Sequence, residues 1–337
     1  SPFSSRTHRW AQESATGMTT PRACTMPEAI DAACEALRLY SAGVCDIPLR
    51  TTIAVPEGPG SSLYMYGYAA PVGALGVKIV SSFPENAKRG LPSTPSTMVL
   101  LDAQTGAVCA LLDGTYFTRL RTGALAGAAT RLLAREDSRV FTIYGTGGQA
   151  LEQIEAVLAV RPIERVQIVG RSRDKAAALA RQVQAAHGAF CTADVPADEA
   201  AANADIITAV TGAYTPLFDG ALVRPGTHIN GIGSCTPQQA ELDAKLIARA
   251  GKIYADTLDG VLHEAGDLMQ ALASGAVTEE HITGELGQLI LGRTPGRESA
   301  DEITFFDSTG TAALDLVTAK RIYDRAQALH LGDSIEL

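Results

Sequence analysis

The spacing of apolar positions predicts a helix followed by an antiparallel sheet in the first third of the chain. Between Met26 and Tyr40, apolar residues recur at helical spacing and fall on one face. Short runs rich in β-branched and aromatic residues follow, separated by Pro-Gly and Thr-Gly turns that are typical of strand ends. The two runs on either side of 102–106 are expected to pair as a hairpin.

From about Thr118 the pattern changes to strands that alternate with helices. An Ala-rich helix comes first, and buried strands then alternate with further helices along the chain. The predicted strands are 138–145, 165–170, 204–211 and 227–233, and the predicted helices between them are 147–160 and 174–186. This alternation predicts a doubly wound parallel sheet of the Rossmann type.

The last part of the chain leaves this alternation. The segment that begins at Asp301 ends in a long helix that can pack back on the first region. We therefore expect an α/β protein in which a Rossmann dinucleotide-binding domain, 128–304, is inserted into a discontinuous α+β outer domain, 18–127 and 305–337.

The first residues differ from the rest of the chain. Residues 1–17 are polar, lack the apolar core of a signal peptide and hold the only tryptophan. We interpret them as a disordered leader or a cloning remnant, with Met18 as a plausible native start. A sorting role is the alternative.

Charge and cysteine usage narrow the classes of function. The formal net charge is −9 and no basic stripe stands out, so neither nucleic acid nor an anionic membrane is an expected partner. No apolar run is long enough to span a bilayer. The six cysteines are scattered without a C-x-x-C pair, which favours a reducing, cytoplasmic location over a disulfide framework or a zinc site. We predict no metal, because His263 begins a zincin-like pattern without the second histidine.

A glycine-rich segment directly follows the first predicted strand of the parallel sheet. It consists of Gly145, Thr146, Gly147, Gly148, Gln149 and Ala150, which fits G-x-G-x-x-A. In this motif the first glycine allows a tight turn, the second lets a pyrophosphate approach the backbone, and the small last residue lets the helix lie close to the strand. Free N–H groups at the helix start then bind the anion. We predict a dinucleotide site, and the alternative is a tight turn without a ligand.

The end of the next predicted strand indicates which dinucleotide is bound. An acid there would accept hydrogen bonds from a ribose 2′-OH, but the sequence has Arg171, Ser172 and Arg173 after Gly170. Two guanidinium groups and a hydroxyl can bind a dianionic 2′-phosphate. We therefore predict NADPH as the preferred cofactor, with NADH as a weaker one. The alternative is a solvated basic turn.

Three cations in or near the outer domain indicate an anionic substrate. Arg50 precedes a predicted strand, Lys78 lies inside an otherwise apolar strand, and Arg121 lies near the start of the Ala-rich helix. A lysine among apolar neighbours is costly unless it is paired or used. Because no matching run of acids accompanies these cations, we expect them to bind a carboxylate. For each one alone, a surface salt bridge or a snorkelling side chain is the alternative.

With these motifs in place, the sequence resembles the ornithine cyclodeaminase and mu-crystallin family from about Met26 to Asp324. The resemblance rests on "IPLR" at 47–50, "GVKIVSSFPEN" at 76–86, "RTGA" at 121–124, "GTGGQA" at 145–150, "NGIGSCTPQQAEL" at 230–242, "HEAGDL" at 263–268, "GELGQLILGRTPGR" at 284–297 and "ITFFDSTGTAALDL" at 303–316. It implies a homodimer joined through the outer domain's sheets and a substrate pocket between the two domains. It also implies that Arg50, Lys78 and Arg121 hold the substrate carboxylate and the reacting nitrogen.

Further residues are assigned around this pocket. We expect Asp307 near the nicotinamide or the substrate, and Asp315 to be structural. Glu264 and Asp267 are interpreted mainly as the start of a helix, where acids complement the dipole. The cofactor is also expected to contact Thr122, Thr211, Ser308 and Gly310.

One departure from the family pattern bears on the reaction. Cyclodeaminases of the family carry an aspartate, used as acid and base during cyclisation, where this sequence has Ser234. A serine cannot serve as a carboxylate base at neutral pH, although its hydroxyl can cap the next turn. At this position the sequence resembles more closely the family's reductases of cyclic ketimines, and we count Ser234 among the catalytic positions.

The resemblance and the residues together predict an NAD(P)H-dependent oxidoreductase. The expected reaction is reduction of Δ1-pyrroline-2-carboxylate or Δ1-piperideine-2-carboxylate to L-proline or L-pipecolate. The alternatives are ornithine cyclodeamination, an amino-acid dehydrogenase acting on an acyclic 2-oxo acid, and a non-catalytic NADP-dependent binding protein of the mu-crystallin type.

Overall fold

The computed structural model describes residues 23–58 and 60–333. The predicted leader, 1–17, and the proposed start at Met18 lie outside the described residues. Two sheets form in the described part, one antiparallel with six strands and one parallel with eight. This arrangement confirms the predicted α/β fold with a Rossmann-type parallel sheet and a separate antiparallel unit.

The antiparallel sheet forms in the first third of the chain, as predicted. Its strands are β1 (Cys45–Asp46), β2 (Thr51–Val55), β3 (Gly60–Ala69), β4 (Ala74–Ser82), β5 (Ser96–Leu101) and β6 (Val108–Asp113). The order is β1-β3-β4-β5-β6, with β2 pairing to β3. The predicted hairpin closes where Asp102 N–H donates to the carbonyl of Ala107 at 2.8 Å, and Gly106 adopts a φ of 74° in its turn.

The two faces of this sheet have different surroundings. Met65, Lys78 and Met98 lie directly opposite one another on β3, β4 and β5, and all three are buried. Side chains alternate between the faces along a strand, so their sequence neighbours point the other way. The buried face therefore carries one lysine inside an apolar row.

Ten α-helices pack around the two sheets in the described residues. They are α1 (Met26–Ser41), α2 (Gly114–Leu133), α3 (Ala150–Val160), α4 (Arg173–His187), α5 (Ala197–Asn203), α6 (Ala244–Arg249), α7 (Leu258–Glu264), α8 (Gly266–Ala273), α9 (Leu286–Ile290) and α10 (Ala312–Ala328). Local chemistry sets their starts: Asp113 accepts from Thr115 N–H at 3.0 Å to begin α2, and Thr311 accepts from Ala313 N–H at 3.3 Å to begin α10. Helix α10 packs on β3, β4 and β5 and covers their buried face.

The parallel sheet occupies the middle and late parts of the chain. Its strands are β7 (Val140–Tyr144), β8 (Arg165–Val169), β9 (Phe190–Thr192), β10 (Ile206–Ala209), β11 (His228–Gly231), β12 (Lys252–Ala255), β13 (Ile282–Glu285) and β14 (Thr304–Asp307). Their order is β13-β12-β14-β11-β10-β7-β8-β9. Because the order reverses between β7 and β10, a crevice opens at the carboxyl ends of these two strands.

Strand β14 corrects the prediction that the segment from Asp301 leaves the alternation. It lies between β11 and β12 inside the parallel sheet, and all four of its residues are buried. These residues are as completely buried as those of β10 and β11, which were predicted as strands, so burial alone does not set β14 apart. What the local pattern cannot show is that β14 inserts between β11 and β12. The chain returns to the antiparallel sheet only after Asp307, through α10.

No helix within residues 23–58 and 60–333 is both long and apolar enough to cross a membrane. All six cysteines carry free thiols. Among the described residues, no three side chains of the metal-binding types come together as a candidate metal site.

Candidate active site

The predicted site residues converge on one edge of the parallel sheet. Gly145 follows β7, Thr211 follows β10 and Ser234 follows β11, while Asp307 ends β14. Carboxyl ends of parallel strands lie at the same edge, which is where ligands bind in open α/β sheets. From outside the parallel sheet, Arg50 in the segment before β2 reaches this edge, because it donates to the carbonyl of Thr309 just after β14.

Lys78, Asp315 and Arg121 form a buried cluster where β4, α10 and α2 meet. The Lys78 ammonium donates to Asp315 Oδ1 at 2.9 Å, and Arg121 Nε lies 3.0 Å from the same oxygen. Both side chains of the Lys78–Asp315 pair are completely buried. Asp315 is the only acid paired with either cation in the described residues, so two cations share one carboxylate. The cluster is therefore suited to a second anion.

The environment of Lys78 adjusts its proton affinity to neutral pH. Burial is the main cause that lowers the pKa of Lys78 to about 7, and the positive charge of Arg121 is the second. The carboxylate of Asp315 acts in the opposite direction. The charge of Arg50 lowers the pKa further. An amine with a pKa near neutrality can both donate and accept a proton under physiological conditions. This pKa is compatible with a role of Lys78 as acid or base.

Arg50 lies at the mouth of a cleft between the outer and nucleotide-binding parts. The cleft is lined by, among others, Tyr40, Ile47, Met65, Gly260 and Thr311. Arg50 Nε donates to both carboxylate oxygens of Glu264, at 2.9 and 3.0 Å, and its Nη2 contacts Glu264 and the carbonyl of Thr309. Burial lowers the pKa of Arg50 but Glu264 raises it, and the net direction is upward.

The segment after β14 lies between Arg50 and the cluster of Lys78 and Arg121. Arg50 contacts Thr309 in this segment, and Arg121 lies beside Gly310. Ser308 Oγ and Gly310 N–H donate to Asp256 Oδ2 at 2.7 and 2.8 Å, which fixes the segment against β12. Gly310 has a φ of 81°, and a Cβ there would come within 2.7 Å of Arg121 Nη1. Only glycine allows this turn and this approach. The predicted cofactor residues Ser308 and Gly310 therefore lie beside Arg50 and Arg121, the cations predicted to bind the substrate.

The expectation that the three cations lack acid partners is wrong. Glu264 pairs with Arg50, and Asp315 pairs with both Lys78 and Arg121. Glu264 also ends α7 instead of starting a helix, while Asp267 does lie in the first turn of α8. Asp315, interpreted as structural from the sequence, is in direct contact with Lys78. Its signal was an acid between buried leucines, the same signal that identified Lys78.

The glycine-rich loop has the geometry of a dinucleotide-binding turn. Gly145 adopts a φ of 128°, and a Cβ there would lie 2.5 Å from the carbonyl of Val210. Positions Gly147 and Gly148 face open space, with nothing within 4 Å of a Cβ. The buried Gln149 Oε1 has no hydrogen-bond partner in the described residues. An open, glycine-lined turn before Ala150, the first residue of α3, fits a pyrophosphate.

The basic turn stands next to this loop. A Cβ on Gly170 would come within 2.7 Å of Thr146, so the turn after β8 packs against the glycine loop. Ser172 caps α4 by accepting from Lys175 N–H at 3.3 Å. Arg171 and Arg173 are exposed, and neither forms an ion pair within the described residues. Two free guanidinium groups at a helix N-terminus favour an anion there.

The remaining predicted cofactor residues have internal partners. Thr122 Oγ1 donates to the carbonyl of Thr118 at 2.7 Å inside α2. The N–H groups of Thr211 and Gly233 both donate to Glu241, which therefore holds together the loops after β10 and β11. Burial raises the pKa of Glu241 to about 7. No local pattern singles out Glu241, because its partners lie on two different loops.

Ser234 caps a helix that is distant in sequence, and not the next turn as considered above. Its hydroxyl donates to the carbonyl of Gln239 at 3.3 Å and accepts from Asp267 N–H at 3.1 Å, at the start of α8. Burial raises the pKa of Asp267 to about 6. No carboxylate occupies position 234 itself.

Asp307 is buried with both carboxylate oxygens unpaired in the described residues. Burial, together with the charges of Asp267 and Asp256, raises the pKa of Asp307 well above its usual range. A carboxyl group that stays protonated can donate a hydrogen bond. Its position at the end of β14 is compatible with the predicted role near the nicotinamide or the substrate.

Comparisons with known proteins agree with this architecture. The model of the ornithine cyclodeaminase/mu-crystallin family matches residues 15–330. The chain is 40% identical over 311 residues to a Delta(1)-pyrroline-2-carboxylate reductase of Bacillus cereus, covering 92% of this chain and 95% of that reductase. The Thermococcus litoralis Delta(1)-pyrroline-2-carboxylate reductase in complex with NADH and L-proline has a TM-score of 0.90 at 37% identity, covering 94% of this chain and 98% of that one.

An archaeal alanine dehydrogenase dimer with bound NAD is also similar. Its TM-score is 0.88 at 34% identity, covering 95% of this chain and 97% of that one. These relatives share the whole fold and not only its nucleotide-binding half. The chain therefore belongs to the ornithine cyclodeaminase/mu-crystallin family.

Proposed function

We propose that this protein reduces Δ1-pyrroline-2-carboxylate to L-proline with a reduced nicotinamide dinucleotide, and that it also accepts the six-membered Δ1-piperideine-2-carboxylate. The observation that carries the proposal is the buried cluster in which Lys78 and Arg121 share the single carboxylate of Asp315. Two cations with one acid leave room for a substrate carboxylate. The similarity to two Delta(1)-pyrroline-2-carboxylate reductases supports this choice of substrate.

The proposed roles follow from charge and proton affinity. Arg50 and Arg121 bind the substrate carboxylate, and Lys78 delivers a proton to the imine nitrogen, directly or through water. Reduction of C=N requires one hydride at carbon and one proton at nitrogen. A protonated nitrogen makes the carbon a better hydride acceptor, so proton donation by Lys78 assists hydride transfer. Asp315 holds the ammonium at 2.9 Å and is a positioning residue for it.

The cofactor is proposed to bind along the glycine loop and the basic turn. Gly145 to Ala150 would hold the pyrophosphate, and Arg171, Ser172 and Arg173 a 2′-phosphate, which is the basis for proposing a preference for NADPH. When bound, the nicotinamide cofactor supplies the hydride. The similar solved structures contain NADH and NAD, so the preference rests on the two exposed arginines of this chain.

The test is a substrate panel assayed with both reduced cofactors. Cyclic imine carboxylates of five- and six-membered rings should be reduced, with the loss of reduced cofactor followed by absorbance. Pyruvate with ammonia tests the acyclic dehydrogenase, and ammonia release from ornithine tests the cyclodeaminase. Ammonia release from ornithine without imine reduction would refute the proposal. Cofactor binding without turnover of any compound would favour a binding protein.

Reduction should slow as pH rises through the Lys78 pKa of about 7. The lysine donates a proton, and its charged form disappears above that pKa, so kcat/KM should fall on the alkaline side. Oxidation of L-proline needs the uncharged amine and should rise over the same range. A bound substrate carboxylate stabilises the ammonium and so raises the pKa of Lys78. The alkaline decline of kcat should therefore lie at higher pH than the alkaline decline of kcat/KM.

Two ring sizes provide the control for this pH profile. The two imines titrate at different pH. If the decline in kcat/KM reflects titration of the substrate, it should occur at a different pH for each imine, whereas a decline caused by Lys78 should occur at the same pH for both. A kcat/KM that does not change across neutral pH would show that Lys78 is not the proton donor.

A homodimer is proposed through the uncovered face of the antiparallel sheet. Tyr66, Val77, Val99 and Leu111 lie opposite one another across β3 to β6 on that face, and Leu111 is 55% exposed. A continuous apolar row on a sheet surface is typical of a subunit interface. We expect light scattering to give twice the chain mass of 35.2 kDa and Leu111→Arg to shift it toward one chain mass.

A matched control for the dimer is Leu329→Arg. Leu329 is 48% exposed but follows α10, away from this sheet face. The control should leave the mass unchanged. A wild type of single-chain mass, or equal effects of both substitutions, would contradict the proposed interface.

A further inference from the structure

Glu264 occupies the donor edge of Arg50 that a substrate carboxylate needs. Arg50 Nε contacts both oxygens of Glu264, and Nη2 contacts Glu264 and, at 3.0 Å, the carbonyl of Thr309. Only Nη1 has no hydrogen bond within the described residues. A guanidinium binds a carboxylate most strongly through two parallel N–H groups on one edge. With Nε and Nη2 both engaged, Arg50 cannot offer such an edge while Glu264 is in place.

The position of Glu264 in the fold is explained by Arg50 alone. Glu264 is the last residue of α7, where the carbonyl end of the helix repels a carboxylate. Its only ion pair in the described residues is with Arg50, which is 214 positions away in sequence. Neither helix capping nor a neighbouring lysine accounts for an acid at this point.

The two acids that pair with the site cations differ in how easily they can leave. Asp315 is completely buried, and moving it would expose Lys78 and Arg121 without compensation. The Glu264 side chain is 26% exposed at the edge of the cleft, and that of Arg50 is 14% exposed. Rotation of Glu264 into solvent therefore has a low free-energy cost, because water hydrates its carboxylate once the contact with Arg50 is broken.

We propose that Glu264 is an internal stand-in for the substrate carboxylate, which binds Arg50 in the free enzyme and must be displaced when substrate enters. The inference rests on the proposed function only in taking the ligand to be a small carboxylate. Exchange of one carboxylate for another keeps Arg50 neutralised throughout. A ligand without a carboxylate cannot compensate Arg50 and is rejected, so Glu264 adds selectivity for anions at the expense of affinity.

The size of the effect follows from the population of the closed pair. If Glu264 covers Arg50 for about nine-tenths of the time, the apparent Kd of a carboxylate is raised about tenfold. Glu264→Gln retains the size of the side chain but loses the charge. The variant should therefore bind carboxylates about tenfold more tightly, lower KM by a similar factor and leave kcat nearly unchanged.

The experiment is calorimetric titration of the full chain with pyrrole-2-carboxylate, a planar five-membered carboxylate, in the presence of whichever oxidised dinucleotide binds. Pyrrole-2-carboxamide is the uncharged companion probe and should gain nothing from the substitution. Asp259→Asn removes one charge from the same helix and the same cleft, but Asp259 forms no ion pair with Arg50 in the described residues and its side chain is 55% exposed, so its effect on Kd should stay within about twofold. Glu264→Ala is a second variant without any hydrogen-bonding group.

Each outcome decides the inference. Tighter binding of the carboxylate alone by Glu264→Gln supports it, and the gain should vanish when Arg50 is replaced with methionine as well. Weaker binding shows that Glu264 positions Arg50 for the substrate, and equal binding shows that the pair is passive; either overturns the proposal. Probe binding to neither protein also overturns it, because freeing Arg50 should create a site. Reduction of cyclic imines is measured separately, so the proposed function can stand or fall by itself.

Discussion

Replacing Lys78 with methionine is expected to lower kcat for imine reduction by about 10²-fold or more, the usual contribution of a general acid. Methionine keeps an unbranched apolar stem between Met65 and Met98, which lie directly opposite on the neighbouring strands. It removes the ammonium that is held 2.9 Å from Asp315. Arg121 remains 3.0 Å from the same oxygen, so the carboxylate keeps one cation. The loss should therefore fall on turnover and not on folding.

Cofactor affinity and thermal stability distinguish this role from a structural one. The dinucleotide site lies on the parallel sheet, so its Kd should be nearly unchanged in Lys78→Met. Lys252→Met is the matched control, because Lys252 also pairs with acids, Glu298 and Glu302, but begins β12 at the edge opposite to the site. Near wild-type kcat in Lys78→Met together with a much lower Tm would mean that Lys78 is a buried structural charge.

The local pattern of the sequence was sufficient for the elements whose stabilising contacts are close in sequence. The alternating strands before Asp113, the hairpin at 102–106 and the helix from Met26 were predicted because their faces differ in polarity. Strand β14 was not recognised, although it is as completely buried as β10 and β11, which were predicted. Its neighbours β11 and β12 come from distant parts of the chain, so only the folded sheet reveals the fit.

The sequence predicted the cations of the candidate site but not the two acids that pair with them, Glu264 and Asp315. Lys78 stood out as a charge in an apolar strand, but Asp315, its partner, is 237 positions away. Glu264 lies in a polar hexapeptide that also fits a helix start, so nothing local connects it to Arg50. A pairing between distant segments depends on how α7 and α10 pack, and a single sequence does not encode that as a pattern. In the fold, the three cations therefore form two ion-paired groups. Arg50 with Glu264 is neutral, whereas Lys78 and Arg121 with Asp315 have one excess positive charge.

Arg171→Asp combined with Arg173→Ala is expected to reverse the preference between the two dinucleotides. The two guanidinium groups are exposed, unpaired in the described residues and placed at the start of α4, where the helix dipole also favours an anion. Two charge-assisted contacts to a 2′-phosphate contribute roughly 2–5 kcal/mol, and exposure to solvent places the effect near the lower limit. NADPH should therefore bind about 30-fold more weakly or worse in the double variant. The new aspartate can accept hydrogen bonds from the ribose 2′-OH of NADH, so NADH affinity should hold or improve.

Calorimetric titration of each cofactor, with kcat/KM for both, measures this change. Arg181→Ala is the matched control, because Arg181 is exposed on the same helix but two turns from its start. It removes one positive charge and should alter neither preference nor affinity by more than about twofold. The preference for NADPH should also weaken as salt is raised in the wild type, because exposed contacts to a phosphate are screened, and that dependence should disappear in the double variant. Equal losses for NADH and NADPH would show that the turn supports the glycine loop without reading the 2′-phosphate.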